Sequence, residues 1–136
     1  MRKVVDEVDF VSHFIKGKTK LYEMRQKELD ETVLINDITV QGMFDLFFYF
    51  QNLEDSSGKE FDFDEKIIEV RTGWYGYKSF KDWYKLNRYF HDGSENLMFE
   101  GIETLEDLEK RFEVVVMYEP RDSEFREAGG FIIAYE

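Results

Sequence analysis

The chain has 136 residues, with 18 Lys and Arg against 30 Asp and Glu, a formal net charge of -12, no cysteine and an aromatic fraction of 18%. That length fits one α+β domain spanning residues 1–136, long enough to bury most of the surface its unfolded form exposes. The absence of cysteine excludes disulfides, thiolate metal sites and a cysteine nucleophile, and the negative field argues against direct binding to a nucleic-acid backbone.

No apolar run approaches the ~18–20 residues a membrane span requires. The start, Met1-Arg2-Lys3, is followed by valines interleaved with carboxylates rather than by the apolar core of an export signal, so the cytoplasm is the expected compartment. Charge is unevenly spread: residues 31–70 and 93–136 each carry a net -8, while residues 71–92 carry +3. Two acidic blocks thus flank a basic one.

In residues 4–15, Val4, Val8, Val11 and Ile15 recur at spacings of four and three, which predicts an amphipathic helix ended by Gly17. His13 falls off that stripe and reads as a surface residue. Residues 18–30 fit neither period and are expected to form a strand or extended connection, turning near residues 29–31. The branched run 32–40 is broken by Asn36-Asp37, a turn pair, so either two short strands or one strand leading into a new element is expected. Val40, Met43, Phe44, Phe47 and Phe50 then match helical spacing, with a buried strand as the alternative.

Residues 54–59 read as a solvated loop. Phe61 and Phe63 alternate with Asp62 and Asp64, the pattern of a half-buried strand continuing to Val70. The acids Asp62, Asp64 and Glu65 lack the spacing of a calcium loop, and no metal or cofactor is expected.

The stretch 71–90, RTGWYGYKSFKDWYKLNRYF, holds both tryptophans and most of the basic surplus. Ser79 can cap a helix, with Asp82 three residues on. Phe80, Trp83, Leu86 or Asn87, and Phe90 then give an apolar face opposite Lys81, Lys85 and Arg88. Trp74, Tyr75 and Tyr77, beside Arg71 and Lys78, could form a stacking, cationic surface for an anionic ligand; the plainer reading packs them into the core.

Residues 91–94 form a turn, residues 97–102 read as a strand, and Thr104 with Asp107 repeats the capping pattern ahead of Leu105, Leu108 and Phe112. Glu113 to Glu119 read as a strand stopped by Pro120, and the final run, Phe131 to Tyr135, is expected to pair antiparallel with it. The fold class is therefore α+β, with one mixed, mostly antiparallel sheet of four to six strands and two to four helices packed on it.

Tyr75-Gly76, followed by Trp83 seven residues past the glycine, is similar to the tyrosine-glycine and helix segment of the barstar family of acidic ribonuclease inhibitors. No residue role is carried over from it. In composition, an acidic, aromatic-rich, cysteine-free chain also resembles toxin immunity proteins and phage anti-defence inhibitors, including anti-CRISPR proteins.

No nucleophile elbow, zinc spacing or phosphate-cradling glycine loop is present, so the expectation is a binding protein without catalysis. Its partner would be a basic protein, such as a nuclease, blocked through Glu100, Glu103, Glu106, Asp107 and Glu109, with Asp55, Asp62, Asp64 and Glu65 as a second acidic group. Trp74, Tyr75 and Tyr77 are the expected aromatic contacts. The alternative is a small-anion or nucleotide-binding domain that uses the aromatic basic loop 71–90 as a lid.

Overall fold

A computed structural model of the protein describes residues 6–15, 33–116 and 130–135. Helix α1 spans Glu7–Ser12, strands β1 and β2 span Val33–Ile35 and Ile38–Thr39, and α2 spans Val40–Ser57. Helix α3 covers Phe63–Gly73, β3 Tyr75–Tyr77 and α4 Phe80–Asn87. A 3-10 turn at Leu97–Phe99 leads to α5 at Leu105–Arg111, β4 at Glu113–Val116 and β5 at Phe131–Ala134.

The protein is mixed helix and strand, but its described residues do not form the expected single sheet of four to six strands. Among the described residues there are two small antiparallel sheets, β1-β2 and β3-β5-β4, with five α-helices. Strand β5 is central in the larger sheet: Tyr75, Gly76 and Tyr77 pair with Ile133, Ile132 and Phe131 on one side, and Glu113 to Val116 pair on the other.

Because successive strand residues point to opposite faces, β5 feeds two cores. Ile132 packs into a cluster with Phe10, Phe44, Phe47, Phe50, Trp74 and their neighbours from α1, α2 and α3. Phe131 and Ile133 pack on the other side with Trp83, Phe99, Ile102 and Leu108. The strands β4 and β5 therefore form a partition with helices on both faces, rather than a sheet covered on one.

Helix α2 settles the ambiguity at residues 43–50 in favour of helix. Thr39 Oγ1 accepts the Gly42 amide at 3.0 Å, and Val40, Met43, Phe44, Leu46, Phe47 and Phe50 are buried. Their three- and four-residue spacing sets these side chains on the packed sides of a helix, where each gains roughly 1.5–3 kcal/mol from burial. The helix runs on through the expected loop to Ser57, where Gly58, at φ 71°, supplies the left-handed cap.

The predicted strand over residues 60–70 is instead α3. Asp62 Oδ1 accepts the Glu65 amide at 3.0 Å, and Phe63, Ile67 and Val70 meet the core at helical spacing. The expected strand at residues 97–102 is the 3-10 turn, capped by Asn96. At the other end of the chain, Phe10 and Val11 carry the burial of α1; the expected strand or connection at residues 18–30 lies outside the described residues.

The Asn36-Asp37 turn forms as expected, with both residues at positive φ, 52° and 61°, the geometry of a tight hairpin. It is fastened from outside. Asn36 Nδ2 donates to the Val70 and Arg71 carbonyls at 3.2 and 3.1 Å, and the Gly76 amide donates to Asn36 O at 2.9 Å.

Candidate functional site

Thr104 and Asp107 form the reciprocal cap that the sequence pattern requires. Thr104 Oγ1 accepts the Asp107 amide at 3.2 Å, and Asp107 Oδ2 accepts the amides of Glu103 and Thr104 at 2.9 and 3.1 Å. These backbone donors, Glu103 first, hold the Asp107 carboxyl below the usual carboxylate range. Asp107 is thus occupied in building α5. Glu100, Glu106 and Glu109 are exposed around it.

Glu103 is exposed as well, and it joins the acidic segment to α4: its Oε2 accepts from Tyr84 Oη at 3.0 Å, and its Oε1 lies 3.6 Å from Arg88 Nη2. Arg88 is the one buried charged side chain among the described residues, at 3% exposure. Its Nε donates to Ile102 O at 3.3 Å and its Nη2 to Glu95. The Glu95 hydrogen bond raises Arg88 above its ordinary pKa against the opposing effect of burial. A cleft of about 300 Å³ opens beside this group, lined by Phe80, Lys81, Tyr84 and Glu103.

The aromatic stretch is placed differently from the expected stacking surface. Trp74 is 1% exposed, donates its indole N–H to Glu69 Oε2 at 2.8 Å and meets the Phe50 ring edge-on at 5.6 Å. It is core, not an exposed contact. Tyr77 is half-buried and stacks on Phe131 at 5.7 Å. Only Tyr75 of the three reaches the surface, with its hydroxyl on Thr72 O at 3.2 Å. Trp83 is fully buried and donates to Tyr135 Oη at 3.0 Å.

The bases nearby are divided in the same way. Arg71 donates to His13 O at 2.7 Å and lies over the Phe14 ring, so it is a tie between α3 and the turn after α1. Lys78, Lys81 and Lys85 are exposed. In the second acidic group Asp62 is a helix cap, and the described residues contain no cluster of three or more His, Asp or Glu able to hold a metal ion.

Sequence reasoning missed one surface. The segment after α4 doubles back through Gly93: Phe90 N–H donates to Ser94 O at 2.8 Å, Asn96 N–H to Arg88 O at 3.1 Å, and Asn96 Nδ2 to Asn87 O at 3.2 Å. Leu86, Tyr89, Phe90, Leu97 and Met98, on the two limbs of this turn, are all exposed. The signal available was the choice between Leu86 and Asn87 on the apolar face of α4; Asn87 turns inward and Leu86 outward.

No helix among the described residues is long and apolar enough to cross a membrane. The sequence and structure match no protein-family model, no curated protein and no solved structure.

Proposed function

We propose that the protein is a non-enzymatic acidic binding protein that docks on the basic surface of a protein partner, a nuclease or another nucleic-acid enzyme, and keeps its substrate out. The observation that carries the reading is the run of exposed carboxylates at Glu100, Glu103, Glu106 and Glu109, presented on and beside a short helix whose frame is fixed by the Thr104–Asp107 cap.

Such a surface acts first on encounter. Complementary fields raise association rates by about 10- to 1,000-fold at low salt and lose that advantage as ionic strength rises. The alternative, an anion-binding lid built from residues 71–90, has less support because Trp74, its central ring, is already packed against Phe50 and bonded to Glu69.

The test is affinity capture from the native cytoplasm with salt-step elution, using the wild type and a Glu103→Lys/Glu106→Lys/Glu109→Lys variant. A partner with a basic nucleic-acid channel, released at moderate salt and absent from the variant, is the expected result. Equal capture by both proteins would refute the reading.

A further inference from the structure

Large apolar side chains scattered singly over a surface are ordinary; a cluster of them is not. Of the nine that stand exposed among the described residues, five fall between residues 86 and 98: Leu86 at 70%, Tyr89, Phe90, Leu97 at 72% and Met98. The hydrogen bonds joining Asn87 and Arg88 to Asn96 bring the two limbs side by side. Leu86 and Leu97, the neighbours of that junction, are the most exposed of the nine.

The charge around this ridge has one sign in excess. Asp92, Glu95, Glu100 and Glu103 are exposed in or beside the turn. Of the bases, Arg88 is buried against Glu95 and Glu103, and Arg111 turns back to donate to the Met98 and Glu100 carbonyls. Lys85 is the one lysine in the stretch 84–103. An apolar centre with an acidic rim has the anatomy of a protein interface rather than of a nucleic-acid or small-ion site.

We infer that the ridge at residues 86–98 is the anchoring half of the docking surface, and that it takes apolar side chains from a partner segment flanked by Lys or Arg. The inference rests on the acidic-binder reading and adds to it where the affinity resides: the carboxylates of residues 100–109 steer, and the ridge holds. A second copy of the chain is a poor occupant, since each copy brings a net charge of -12.

The test titrates the isotope-labelled full chain with two synthetic peptides of equal lysine content, one an amphipathic Leu/Lys helix and the other with Ser in place of Leu, while amide shifts are followed. The Leu/Lys peptide should shift residues 86–98 and lose about tenfold in affinity or more with Leu86→Ser/Leu97→Ser, two exposed sites that do not support the core. The Ser/Lys peptide should bind more weakly and remain within about twofold of its wild-type affinity for that variant, while Glu106→Lys/Glu109→Lys should weaken both peptides. Equal binding of the two peptides, unchanged by the leucine substitutions, would overturn the anchor and leave the acidic reading standing. Failure of both peptides to bind would overturn the two together. A concentration-dependent dimer by light scattering that Leu86→Ser/Leu97→Ser dissolves would assign the ridge to a second copy and also overturn the inference.

Discussion

Replacing Gly76 with alanine should be far more damaging than adding one methyl group suggests. A Cβ at this position would lie 2.8 Å from the Asp37 carbonyl carbon, 3.1 Å from Ile38 Cα, and nearer still to the Asp37 oxygen. All of these are backbone atoms, so no side chain can swing aside. On its other edge Gly76 is paired with Ile132, so β3 cannot retreat without loosening the larger sheet. The Asn36-Asp37 turn must lift instead, straining the Gly76-to-Asn36 hydrogen bond and the bonds from Asn36 to Val70 and Arg71. Overpacking costs about 1–3 kcal/mol and each lost hydrogen bond about 1 kcal/mol, giving roughly 2–4 kcal/mol in all. At about 4 °C per kcal/mol for a chain of this size, Tm should fall by roughly 8–16 °C. Circular-dichroism melts and urea titrations would measure it, beside Gly73→Ala and Gly58→Ala. Both controls meet open space, and Gly58 adds only the cost of its φ of 71°, roughly 1–2 kcal/mol. A Gly76→Ala protein that melts no lower than Gly58→Ala would refute the argument.

Removing the α5 cap with Thr104→Ala should cost about 1 kcal/mol in urea titrations. Asp107→Asn should act through pH: because the native carboxyl is held below its ordinary value, its stabilisation is present above the unfolded pKa of about 3.9 and is lost as pH falls through the lower native value. The acid limb of the stability curve should therefore flatten in the variant, and an unchanged limb would count against the cap geometry. At the alkaline end, burial first and the Glu113 carboxylate second push Tyr49 up to about 12. Its neutral phenol therefore contributes stability below pH about 10, lost as pH rises through about 12. Phenolate absorbance should show this late ionisation, moved to lower pH by Glu113→Gln.

The local chemistry was the most readable part of the sequence. Ser79 and Thr104 were identified as caps because a hydroxyl followed three residues later by an acid satisfies amides within one turn, whatever the rest of the chain does. Asp62 works in the same way, but the alternation of Phe61 and Phe63 suggested a strand, and two residues of period-two pattern were too few to outweigh the spacing of Phe63, Ile67 and Val70. The pairing of β4 with β5 followed from branched residues bounded by a proline and two glycines. What stayed hidden depended on distant partners. Nothing local says that Trp74 finds Glu69 and Phe50 while Tyr75 remains outside, or that Gly76 is needed because another turn presses on it. The acidic segment was legible as composition, but the division of labour between Asp107, which builds, and Glu106 and Glu109, which face water, needed the helix.

The strand dividing the two cores is the last described element to leave the ribosome. Until Phe131, Ile132 and Ile133 emerge, β3 and β4 have no common neighbour, and the aromatic rings gathered on either side lack the wall they share. Assembly of this protein should therefore be abrupt, with both halves consolidating in a single event once that strand slides between them.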